Sequence, residues 1–271
     1  MEDHLKKFIV LSQASCIGPV TQNRLLMAGD GITGCYELCA EELIKRDRML
    51  PGKITGKKRI LQWIRQREAK ENQIKAEEIL RRCSAKDVSV VTTDDRRYPS
   101  RFQGIVDMPC VLYIKGSLQM NDYGRSLGIV GARRCTQAGK RYAIEQAEAE
   151  SRLGSAIVSG MAKGIDSYAH TAALKTGGYT IAVLGNGPDI CYPREHNVLY
   201  EEISHHGCIL SEYPPGTEPH NYMFPLRNRL IAALSDELLV VDAGRRSGTD
   251  TTVDNCRKYG RPVRFVPGEG S

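Results

Sequence analysis

The feature that most constrains this chain is a strict alternation in its second half. Short, near-continuous apolar runs occur at residues 127–130, 156–158, 180–184, 208–210, 238–241 and 263–266. Between them lie segments of helical character at 137–153, 165–175, 195–206, 226–234 and 252–259. A strand that is apolar on both faces must be covered on both faces. The pattern therefore predicts an α/β fold, a parallel sheet flanked by crossover helices. In such sheets the loops leaving the carboxyl ends of the strands gather on one edge, and ligands bind there.

The first half reads differently. Residues 5–12 are apolar-rich, Cys16-Ile17-Gly18-Pro19 is a turn, and helices are expected at 20–27, 35–45 and 56–83. The imperfect periodicity of the last leaves open one helix or two. A hydrophobic-Gly-hydrophobic turn between short helices resembles a helix-hairpin-helix turn, which presents backbone N–H groups to phosphate. A tight helix connection that needs Gly18 explains the same turn. Strands are expected at 88–92 and 111–115. Charge also divides the chain. The net charge is +6, yet residues 45–86 alone hold fourteen Lys or Arg against five Asp or Glu, so the rest is slightly acidic. Two domains follow: a small all-helical domain at 1–85 and a parallel-sheet domain at 86–271.

Five loops on the predicted sheet edge share one chemistry. They are Gly131-Ala132-Arg133-Arg134, then Ser159-Gly160-Met161-Ala162-Lys163-Gly164-Ile165-Asp166, then Gly185-Asn186-Gly187 with Tyr192-Pro193-Arg194. Phe224-Pro225-Leu226-Arg227-Asn228-Arg229 and Gly244-Arg245-Arg246-Ser247-Gly248-Thr249 complete the set. Glycine lets backbone N–H groups approach an anion, and arginine offers a fork for phosphate oxygens. Lys163, Arg227 and Arg229 fall near predicted helix starts, where a cation is unfavourable by about 0.3–1 kcal/mol unless an anion arrives. One such residue says little, since isolated surface cations usually do nothing specific. Five consecutive loops point to an extended polyanion. Tyr192, Tyr222 and Phe224 are candidates for stacking on bases, and each serves equally well in packing.

Other chemistries fit poorly. The first loop is not Gly-x-Gly-x-x-Gly, and Ser159-Gly160 stands where a dinucleotide site carries an acidic residue. There is no P-loop and no Gly-x-Ser-x-Gly elbow. The histidines lack zincin spacing, and the nine cysteines include no Cys-x-x-Cys pair, so no metal or other cofactor is expected. Free thiols, buried or half-buried, and a cytoplasmic location are expected. No apolar run approaches eighteen residues, and the N-terminus is not a signal peptide.

The motif set resembles one family. Ser159-Gly-Met-Ala-Lys-Gly-Ile-Asp166 with Ala169-His170, Ile181-Ala-Val-Leu-Gly185, Ser211-Glu-Tyr-Pro-Pro-Gly-Thr217, Phe224-Pro-Leu-Arg-Asn-Arg229 and Val266-Pro-Gly268 resemble the DNA processing protein A (DprA, or Smf) family. Ile17-Gly18-Pro19 and the stretch from Tyr98-Pro99 to Gly116 look like its N-terminal SAM-like domain and linker. The resemblance implies that the domain at 86–271 is extended Rossmann-like and binds single-stranded DNA without catalysis. It also implies a homodimer that loads the RecA recombinase in natural transformation. Arg133 matches the Arg of the family's Val-Gly-Ser-Arg motif, and Lys163 the cation of its Ser-Gly motif. Arg227, Asn228 and Arg229 match its Arg-Asn-Arg motif. With the loops above, the candidate DNA-contacting set is Arg133, Ser159, Gly160, Lys163, Gly164, Arg194, Arg227, Asn228, Arg229, Ser247 and Gly248.

There are departures. Ala132 replaces the usual Ser, Asn221 stands where some members carry Lys, and Thr249-Asp250-Thr251-Thr252-Val253 replaces Ser-Leu-Ile-Thr-Ala. The sequence ends at Ser271, before the family's usual further segment and frequent winged helix, which suggests a truncated or shortened member. Two other readings are open. Related Rossmann-like enzymes split nucleoside monophosphates at the N-glycosidic bond, but Thr252 stands where they carry a Glu, with Asp250 and Asp254 out of register. An adaptor that binds protein and has lost DNA is the other, motivated by residues 249–255.

Overall fold

The computed structural model describes residues 2–244 and 248–266, and the chain divides into two units. The first holds the chain up to Tyr98 together with Gly104–Leu112; the second holds Pro99–Gln103 and the chain from Tyr113.

Six helices build the first unit: α1 (Glu2–Ser12), α2 (Pro19–Gly29), α3 (Ile32–Glu37), α4 (Ala40–Met49), α5 (Lys57–Glu68) and α6 (Lys70–Ala85). They enclose Phe8, Leu11, Leu25, Leu43, Ile60 and Trp63, all essentially without solvent contact. The segment expected as one helix at 35–45 is two, α3 and α4. The long one at 56–83 is also two, parting at Ala69 without Gly or Pro. Asn72 Nδ2 donates to the Gln66 carbonyl at 2.8 Å, and Gln73 Nε2 to the Arg67 carbonyl at 2.8 Å. These side chains satisfy the carbonyls that the end of α5 leaves open. Two of the unit's cations turn inward. Arg24 donates to Asp47 Oδ1 at 2.8 Å and to the Pro51 carbonyl at 2.6 Å, and Arg67 donates to the Cys35 carbonyl at 2.5 Å. Gly18 precedes α2 in extended conformation, and Pro19 removes an amide that a helix-hairpin-helix turn would present.

The strands are β1 (Ser89–Thr92), β2 (Val111–Gly116), β3 (Ser126–Gly131), β4 (Ala156–Ser159), β5 (Thr180–Leu184), β6 (Cys208–Ser211), β7 (Glu237–Val241) and β8 (Val263–Val266). β1 belongs to the first unit and β3–β8 to the second, whose sheet runs β2-β6-β5-β4-β3-β7-β8. β3–β8 are mutually parallel as expected, but β2 is antiparallel to β6, with Tyr113 opposite Ser211. The apolar run Val111–Ile114 carries no mark of its direction. The remaining helices are α7 (Gln137–Arg152), α8 (Ile165–Lys175), α9 (Asn197–His206), α10 (Met223–Leu234) and α11 (Asp250–Lys258).

Sheet order decides where these helices lie. From β3 to β6 each crossover steps one way, and right-handedness places α7, α8 and α9 on one face. α10 returns to β7 and α11 goes on to β8, so both cover the other face. Alanines let α7 and α8 sit close: Ala143, Ala147, Ala169 and Ala173 pack on Leu127, Ile129, Ile157, Leu239 and Val241. β3 is the strand from which the connections diverge. Its border with β7 is therefore the switch point, where the loops open a crevice at the carboxyl edge. No described helix is long and apolar enough to cross a membrane. All nine cysteines are free. Cys39 is exposed, against the expectation of burial, because it lies in the break before α4.

Candidate nucleic-acid interface

At the switch point lies a cleft of about 550 Å³, walled by Gly131–Arg133 after β3, by Phe224, Arg227 and Asn228 of α10, and by Gly248, Thr249 and Thr252 after β7. Arg133 stands on its rim, and Arg133 and Arg134 are both exposed. The second loop presses against the first. Gly164 has φ +79°, and a Cβ there would collide with the Ala132 carbonyl and lie 2.7 Å from the Arg133 carbonyl oxygen. Only glycine allows this approach. It carries Lys163 to the same edge, exposed and paired with Glu195 at 2.7 Å. Arg194, after β5, is exposed, and no ion pair holds it among the described residues.

The other matched residues face inward. Ser159 has no solvent contact, and its hydroxyl donates to the Ile129 carbonyl at 2.5 Å. The Gly160 amide donates to Asp166 Oδ2 at 3.0 Å and the Ala162 amide at 3.3 Å. A buried carboxylate thus takes the amides that the sequence aimed at phosphate. Burial raises the Asp166 pKa, against the pull of Arg227 and these amides. Arg227 is buried. It donates to the Gly160 carbonyl at 2.9 Å and to the Val183 carbonyl, and burial lowers its pKa to about 10. Asn228 Nδ2 donates to the Gly248 carbonyl at 3.1 Å and Thr251 Oγ1 at 2.7 Å, tying α10 to the loop after β7. Arg229 forms a nearly buried pair with Glu212, Nη1 to Oε1 at 2.9 Å. Ser247, with Arg245 and Arg246, lies outside the described residues.

One expectation is corrected. α10 begins at Met223 rather than at 226, with Pro225 in its first turn, where a missing N–H costs nothing. Arg227 and Arg229 therefore stand in the helix body, and the cost of a cation at a helix start does not apply to them. Asp242 is a residue the sequence reading missed. Its Oδ2 accepts from the Thr136 amide at 2.7 Å and hydroxyl at 2.8 Å, at the start of α7. A dinucleotide sheet seats its pyrophosphate at that helix start. Here the chain's own carboxylate fills it.

Aromatic rings border the same edge. Tyr192 stacks on Phe224 with centroids 5.4 Å apart and planes 21° apart, and His220 stacks on Tyr222 at 5.7 Å and 13°. Tyr192 and Tyr222 are exposed at 43% and 63%, which leaves ring surface open to a base. No group of three or more His, Cys, Asp or Glu among the described residues is placed to hold a metal ion.

An open, mostly parallel Rossmann-like sheet with exposed cations and stacked rings on its carboxyl edge defines the class of α/β protein to which the chain belongs. The chain belongs to the DNA recombination-mediator protein A family, whose model matches residues 89–271. It is 38% identical to the DNA processing protein DprA of Bacillus subtilis over 181 residues, 67% of this chain and 61% of that protein. With the protein Smf of Synechocystis it shares 36% identity over 265 residues, 96% of this chain and 64% of that one. The chain thus spans less than two thirds of these relatives. The X-ray structure of DprA from Streptococcus pneumoniae superposes with a TM-score of 0.76 at 29% identity, over 96% of this chain and 85% of that one. A structure of Helicobacter pylori DNA processing protein A, concerned with its single-stranded DNA binding mode, gives 0.61 at 32% identity, over 66% and 80%.

Proposed function

We propose that this chain binds single-stranded DNA along the carboxyl edge of its sheet, without catalysis. The observation that carries the reading is Arg133 on the rim of the cleft, with Arg134, Lys163 and Arg194 also exposed on loops that leave the carboxyl ends of β3, β4 and β5. These four supply phosphate contacts, and Tyr192, Tyr222 and Phe224 supply stacking. Ser159, Gly160, Arg227, Asn228 and Arg229 set the loops in place from within. Phosphate contacts carry no base information, so binding is insensitive to sequence. The Helicobacter pylori relative supports the ligand class. Family membership supports the finer reading: a homodimer that loads RecA during DNA uptake. The glycosidase-like alternative finds less support. Thr252 lines the cleft where those enzymes carry Glu, and Asp166 is turned to its own backbone.

The test is a gel-shift titration with oligo-dT and a matched duplex across a salt series. The reading expects salt-sensitive binding to the single strand, weakened alike for all base compositions by Arg133→Ala. Release of free adenine from AMP would instead favour the enzyme.

A further inference from the structure

We propose that the helical unit carries a second nucleic-acid contact of its own, for the phosphodiester backbone, on the outer face of α5 and the turn before it. Between residues 48 and 67 there are seven Lys or Arg and no Asp or Glu. Arg67 turns inward to the Cys35 and Leu38 carbonyls. The other six, Arg48, Lys53, Lys57, Lys58, Arg59 and Arg65, are exposed, and none forms an ion pair among the described residues. Several other cations of the unit are neutralised locally: Arg46 by Glu42, and Arg81 and Arg82 by Glu78. Lys70 and Lys75 of α6 are exposed without an ion pair among the described residues as well, so the unpaired charge is densest in the stretch from Arg48 to Arg65 rather than limited to it.

Helix geometry gathers it. Ile60 and Trp63 of α5 are fully buried. Lys58, Leu61 and Arg65, at i, i+3 and i+7, share the opposite face. Two turns part Lys58 from Arg65, about 10 Å along the axis. Lys57, Lys58 and Arg59 also crowd the first turn of α5, which has no acidic residue and no side-chain cap. That placement opposes the helix dipole, and a bound anion relieves it.

The occupant follows from what is missing. A surface that enters lipid needs an apolar helix face beside its cations. On α5 Ile60 and Trp63 point into the core, and Leu61 is the large apolar side chain left outside; Met49 and Ile54 are exposed too but lie before the helix rather than on its face. A hydrated polyanion fits such a surface. Single strand and duplex offer the same phosphodiester chemistry, and the experiment separates them.

The experiment uses the full chain and fluorescence anisotropy with a labelled 30-mer oligo-dT, a 30-bp duplex, and phosphatidylserine vesicles. Lys57→Gln/Lys58→Gln/Arg65→Gln is made in the wild-type chain and in Arg133→Ala/Lys163→Ala. The expected result is a loss of about fivefold or more in affinity for one or both nucleic acids in both backgrounds. The salt dependence becomes shallower by about 2 in log–log slope, as expected when three phosphates of a single strand are no longer neutralised. Arg48→Gln/Lys53→Gln, in the last turn of α4 and in the turn before α5, shifts binding the same way and guards against a folding artefact of α5. Wild-type affinity and slope in both sets of variants would overturn the proposal. So would vesicle binding that the triple variant abolishes while nucleic-acid binding is untouched. If Arg133→Ala/Lys163→Ala alone has no effect, the sheet-edge reading fails and this one still stands or falls on its own variants.

Discussion

At the scale of single residues, exposed cations and inward cations divide the work. Arg133 and Lys163 face solvent, and replacing either with Ala should weaken oligo-dT binding about three- to tenfold at low salt, equally for mixed-sequence strands. Glu195→Gln should tighten it slightly by releasing Lys163 from its 2.7 Å pair. Arg227 belongs to the other group. Arg227→Met deletes its bonds to the Gly160 and Val183 carbonyls and strands Asp166, so urea melts should show a loss of about 3–5 kcal/mol. Adding Asp166→Asn should recover part of it. His170 supplies a pH signature. It is fully buried, its Nδ1 lies 2.7 Å from Thr180 Oγ1, and burial lowers its pKa to about 3. The fold holds it neutral, whereas the unfolded chain takes up the proton near 6.5. This stabilising term is complete above pH 6.5 and is lost as pH falls toward 3, by about 1.4 kcal/mol per pH unit. His170→Gln should flatten that part of the stability profile.

At the scale of elements, the strands were legible because an apolar run between turns has few other uses. Boundaries where side chains finish a helix were not. The break at Ala69 depends on Asn72 and Gln73 reaching back, and nothing in the local composition announces it. The start of α10 was misplaced because Pro225 reads as a breaker, although the first turn tolerates it. That error hid a usable signal. Counted from Met223, residues Arg227, Leu230, Ile231 and Leu234 fall on one helical stripe, and all are buried. The stripe identifies Arg227 as an inward side chain, whereas the motif alone groups it with the exposed cations. The Gly164 contact belongs to this scale as well. Gly164→Ala should push the loop after β4 off the loop after β3, costing about 1–3 kcal/mol of stability and lowering DNA affinity along with it. Thermal melts beside anisotropy titrations check both.

For the whole molecule, net charge and the placement of charge part company. The +6 total is concentrated in residues 45–86, while the sheet edge draws on a few cations held out by buried partners. What the sequence could not show was which of its charges are already spent: Arg24, Arg67, Arg227 and Arg229 all bond within the chain. The central claim is that the exposed cations on the sheet edge hold a nucleic-acid strand by its phosphates. The most direct measurement is oligo-dT affinity for the wild-type chain and Arg133→Ala/Lys163→Ala across a salt series. The account predicts linear log–log plots, with the double variant weaker throughout and its slope shallower by about 1.4, because two fewer phosphates are neutralised. Superimposed plots for the two proteins would contradict it.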